Sequence, residues 1–131
     1  MPRSAKLGGL GPAEVADAVE AAFGEGSVGR AGDASATATE EARAMFVRVC
    51  VLLLNKQRHE ALDNPGDVSE REKMRIRGEV RAEVGAFLGV DENEVFRLHH
   101  RAAGKRAADP DFRKAAQAIE RELGFRYGMV V

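Results

Sequence analysis

The chain of 131 residues has no tryptophan, one cysteine and seven aromatic side chains, six Phe and one Tyr. Each scarcity excludes something. A single cysteine, Cys50, permits neither an intrachain disulfide nor a cysteine-rich zinc site. It lies in the run Phe46–Leu54 with only Arg48 near it in the chain. A nucleophilic thiol needs a base and an electropositive setting, so a buried helix thiol is expected instead. With few aromatics, the apolar content falls to Ala, Val and Leu, which suit packed helices better than a β-sandwich. Long apolar runs are also missing: the longest is far too short for a bilayer and is interrupted by Arg48. The segment Met1–Gly9 carries positive charge with no apolar core behind it, so no secretory signal is expected and the cytoplasm is the default location.

No sign of charge dominates. The formal net charge is −1, but it is unevenly spread. Residues 1–68 hold seven basic and ten acidic side chains, and residues 69–131 hold thirteen basic and eleven acidic. The basic excess gathers at Arg71, Lys73, Arg75, Arg77 and Arg81, and again at Arg97, Arg101, Lys105 and Arg106. Such clusters matter more to a polyanion than the total does.

What is present is helical periodicity with punctuation. A first short helix is expected from Pro12, with Val15, Ala18, Val19, Ala22 and Phe23 on one face and Gly24 as its stop. Residues 24–38, rich in Gly, Ala and Ser, offer too few large apolar groups to offset the entropy of ordering, which predicts a flexible linker. The chain thus divides into an N-terminal helix plus linker, 1–38, and a helical domain, 39–131. The second helix is expected from Thr37 or Thr39, Thr37 and Glu40 having capping-box spacing, to about Leu62. Its stretch Met45–Leu54 is apolar nearly all round, as in a central core helix or one that pairs with a second copy.

The third helix opens on the Ser69/Glu72 box and presents Met74, Ile76, Val80, Val84, Phe87 and Leu88, with Gly78 a weak point and Gly89 its end. A fourth begins at Asp91 with Glu94 three residues on, turns Val95, Leu98 and Ala102 inward, and is expected to close at Gly104. A fifth starts at Asp109-Pro110, carries Phe112, Ala115, Ala116, Ile119 and Leu123, and stops at Gly124. The apolar tail, residues 125–131, is expected to pack back on the core or pair as a short strand. The fold class is therefore all-α, about five helices around a long central one.

Residues 81–100 carry the one hint of function. Val84 and Gly85 place an apolar and a small residue on the first helix, Leu88 precedes the turn Gly89, Val90 follows as an apolar plug, and Asp91 caps a second helix whose inward residues are Val95 and Leu98. This stretch resembles the helix-turn-helix of bacterial repressor-type DNA-binding domains. The resemblance implies duplex DNA as partner, read by Asn93, Arg97, His100, Arg101, Lys105 and Arg106 on or just after the outer face of the second helix. It also implies a homodimer, expected through the 45–54 helix, and a role in transcription regulation. Asp91, Glu92 and Glu94 make the leading turn acidic, which moves any docking toward the helix's C-terminal half.

Enzyme chemistry finds no foothold. His99 and His100 point about 100° apart on a helix, and Glu94 stands five residues before His99 rather than three. P-loop, nucleophile-elbow and dinucleotide motifs are lacking. No metal, cofactor or catalytic residue is expected. The second reading of the whole is a helical protein–protein interaction module without nucleic-acid binding.

Overall fold

A computed structural model describes residues 10–31, 37–62 and 66–124. Among them are five α-helices and no strand: α1 Pro12–Phe23, α2 Glu40–Glu60, α3 Glu70–Leu88, α4 Glu92–Ala108 and α5 Pro110–Glu122. The all-α expectation holds.

The helix starts follow local chemistry. Thr39, Ser69, Asp91 and Asp109 each precede a helix and accept a hydrogen bond from a backbone N–H of its first turn. Such caps satisfy donors that have no partner inside the helix. Thr37 is not the cap: its hydroxyl donates to the Glu25 carbonyl at 3.0 Å. Two interior glycines do not act as expected. α3 runs unbroken through Gly78, and α4 passes Gly104 and ends only at Asp109-Pro110. Both glycines face open space, so their weak helix propensity meets no competing structure.

The helix α2 is the centre and touches all four others. From Met45 to Leu54 only Leu52 is half-buried; the rest are buried inside this one chain. The surplus apolar face that motivated pairing through 45–54 is thereby taken up by α1, α3, α4 and α5. The core continues with Val15 and Val19 of α1, Ile76, Val80 and Val84 of α3, Val95 and Leu98 of α4, and Phe112 and Ile119 of α5. Each fully buried side chain of this size contributes about 1.5–3 kcal/mol. Cys50 is buried here, and burial pushes its thiol far above the ordinary value. Met74, expected on the core face of α3, is 64 % exposed. It stands two residues from Ile76, about 200° round the helix.

The first helix is not separate from the rest, because its buried residues belong to the same core. Nor are residues 24–31 a loose linker. Val28 and Ser27 are buried, and the Arg43 guanidinium donates to the carbonyls of Val28 and Gly29 at 2.8 Å each. The Ala31 N–H donates to the Phe87 carbonyl at 2.9 Å. Polar bonds to the backbone replace the apolar mass that this segment lacks. Residues 32–36 of the expected linker, and the tail 125–131, lie outside the described residues.

Candidate functional site

The turn between α3 and α4 has the local geometry that its residues imply. Gly89 adopts φ 75° and ψ 34°. The Val90 N–H donates to the Gly85 carbonyl at 2.9 Å and the Gly89 N–H to the Ala86 carbonyl at 3.3 Å, which together close α3 with a Schellman motif. A Cβ at Gly85 would stand 2.7 Å from the Val90 carbonyl oxygen and 3.3 Å from Val95 Cγ2, so only glycine fits the crossing without a shift. The corner is braced from behind by the 24–31 loop: Arg30 lies 5.7 Å from the centre of the Phe87 ring, which stacks on Phe46.

The six residues expected to read DNA are distributed as follows. Asn93, Arg97, His100 and Arg101 are exposed on α4, and Lys105 and Arg106 are half-buried near its end. Each of the four cations among them has a carboxylate partner in the same chain. Arg97 bonds Glu94 at 2.7 Å and Glu40 at 3.1 Å, and Arg101 bonds Glu40 at 2.9 Å. Lys105 pairs with Glu41 at 3.1 Å and Asp109 at 3.6 Å. Arg106 holds the buried carboxylate of Glu120 at 3.2 Å. His100 meets Phe96 edge-on, with ring centres 4.4 Å apart. Hydrogen bonds from Arg97, above all, hold Glu40 and Glu94 below the usual carboxylate range. Both stay ionised at neutral pH, so this face carries Glu40, Glu41 and Glu94 against Arg97, Arg101 and Lys105. Asp91 and Glu92 lie beside them at the N-terminal end of α4.

The opposite flank of α4 differs. There α2, α3 and α4 enclose a groove made of two adjoining hollows that share Asn55 and Arg77. The deeper, of about 250 Å³, is walled by Val51, Leu52, Val95 and Phe96, with Arg77, Arg81, Asn55 and His99 as its polar lining. The shallower, of about 370 Å³, is lined by Asn55, Lys56, His59, Lys73, Ile76 and Arg77. Among the described residues no carboxylate lines either hollow. Lys56, Lys73 and Arg81 pair with Glu60, Glu70 and Glu92 at 2.8, 3.4 and 3.7 Å, and Arg77 has no ion pair among the described residues.

Asn55 Oδ1 and His99 Nδ1 are buried there without a hydrogen-bond partner. Burial, then the charges of Arg48 and His100, lowers the His99 pKa, so its ring is neutral at physiological pH. Of the exposed large hydrophobics, Phe96 walls this groove, while Met74 lies outside its lining, on the α3 stripe that continues through Arg77 and Arg81 at helical spacing.

Sequence reasoning did not single out this groove. The available signals were Phe96 and Met74, large apolar residues off the inward stripes of α4 and α3. Among the described residues no group of three His, Cys, Asp or Glu side chains could hold a metal ion, and no helix is long and apolar enough to cross a membrane. Compared with known proteins, the chain matches no family model, no curated protein and no solved structure.

Proposed function

We propose that this protein is a helical interaction module whose recognition surface is the α2–α3–α4 groove. One observation carries the reading. The cations on the outer face of the corner are each engaged by a carboxylate of the same chain, whereas in the groove Arg77 has no ion pair among the described residues and stands beside exposed apolar Phe96 in a cleft that no carboxylate of the described residues lines, although its neighbours Lys56, Lys73 and Arg81 are paired. An apolar cleft with convergent polar groups is the usual form of a binding site. A duplex would have to break the Arg97–Glu40 and Arg101–Glu40 pairs and then lie against Glu40, Glu41 and Glu94, where each phosphate is repelled.

The second reading, a DNA-binding regulator, draws its support from the corner itself: the Gly85 crossing and the Gly89 turn suit a helix-turn-helix. Binding to random duplex DNA across a salt series separates the two. The module reading expects no salt-dependent complex that Arg97→Ala with Arg101→Ala weakens. A steep decline of affinity with salt that this double variant flattens, by about one unit of slope per lost phosphate contact, would return the function to DNA.

A further inference from the structure

We infer that the groove takes an acidic peptide segment carrying an aromatic anchor with an N–H or O–H group. The inference rests on the groove being the recognition surface and names what fills it.

Three observations specify the occupant. First, the deeper hollow is apolar on Val51, Leu52, Val95 and Phe96, and its volume suits one large side chain. Second, Asn55 Oδ1 can only accept, and it is buried without a donor. Asn55 lines the hollow, and a Trp N–H or Tyr O–H entering it supplies a donor once the amide turns its solvent-closed oxygen toward the cavity, which a Leu or Phe anchor cannot. The neutral His99 ring beside it accepts or donates according to tautomer, so it adapts to either group. Third, Arg77, Arg81 and Lys73 line the groove with no carboxylate among the described lining residues, and carboxylates flanking the anchor complement them. Phe96, exposed on the wall of the deeper hollow, covers the anchor's neighbours.

A nucleic-acid strand would also bring donors and negative charge, but its charge continues. Beyond the groove it meets Glu60 past Lys56, Glu70 past Lys73 and Glu92 past Arg81. A peptide places its carboxylates only where the arginines are.

The test is fluorescence anisotropy on the full chain. The probes are labelled peptides of about twelve residues, rich in Glu, with one Trp and two Leu at helical spacing. The same peptides with Trp replaced by Phe, and with Glu replaced by Lys, serve as controls, together with single-stranded DNA of similar length. The expected result is saturable binding of the Glu/Trp peptides. Arg77→Ala with Arg81→Ala should weaken it about tenfold, and Phe96→Ala by a similar factor. Exchanging Trp for Phe should also weaken binding, and the Lys peptides should not bind.

All three replaced residues are solvent-accessible, so an unchanged far-ultraviolet helix signal checks that the variants fold. If single-stranded DNA binds and the arginine changes abolish it while the peptides do not bind, the groove stands as the recognition surface but the acidic peptide is wrong. If peptide binding ignores Arg77 and Arg81 but is lost in Arg97→Ala with Arg101→Ala, the groove reading itself is overturned. If nothing binds, both are overturned.

Discussion

The α3–α4 crossing can be tested with two glycines of one helix. Gly78 and Gly85 lie two turns apart on α3. A Cβ added at Gly78 meets nothing within 4 Å, whereas at Gly85 it stands 2.7 Å from a backbone oxygen that cannot swing aside. Replacing glycine by alanine within a helix gains about 1 kcal/mol in propensity at either position. At Gly78 that gain is the whole effect, so Gly78→Ala should stabilise the fold by about 0.5–1 kcal/mol. At Gly85 the overpacking cost of about 1–3 kcal/mol is set against it. The propensity term cancels between the two variants, so Gly85→Ala should be less stable than Gly78→Ala by about 1–3 kcal/mol. Urea unfolding followed by helix ellipticity reads the difference as a shift in midpoint at unchanged slope. Equal stabilisation by both changes would mean that α3 and α4 do not approach at Gly85, and the corner geometry would fall with it.

Other outcomes follow from burial and charge. Leu53 is fully buried in the single chain, so Leu53→Ala should cost about 2–5 kcal/mol independently of protein concentration. A cost that shrinks on dilution would instead place Leu53 in an interface between copies. His99 has a folded pKa below its ordinary value of 6.5, chiefly through burial, so as pH falls the unfolded chain takes up the proton first. Stability should hold above about pH 6.5 and decline below it, and urea midpoints that are identical on both sides of that pH would contradict the burial of this ring. Glu40 and Glu94, held low first by the Arg97 hydrogen bonds, add a second loss only as pH drops through and below the carboxylate range.

The parts of the fold legible in the sequence are those decided locally. The caps at Ser69, Asp91 and Asp109 and the left-handed Gly89 act within one turn of themselves, and each is found where its side chain or backbone freedom implies. The all-round apolar stretch of α2 announced the core for the same reason. What failed depended on distant partners. Gly78 and Gly104 look like breaks until flanking turns carry the helix through them. Residues 24–31 look unstructured because Arg43 and Phe87, which hold them, lie 14 or more positions away.

The surroundings of the candidate site were hidden from the sequence for the same cause. Arg97 reads as a phosphate ligand in its own helix, and its neutralising partner Glu40 is 57 residues earlier. Asn55, Arg77 and Phe96 come from three helices and form a groove only after those helices pack. Periodicity could have marked Phe96 and Met74 as misplaced for a core, but not the groove that Phe96 walls.

The central claim, that recognition belongs to the groove and not to the outer face of the corner, is tested most directly by amide chemical-shift mapping during titration with a Glu/Trp peptide. The account expects saturable shifts confined to Asn55, Lys73–Arg81 and Phe96–His99. Shifts centred on Glu40, Arg97 and Arg101, with the groove amides unmoved, would contradict it.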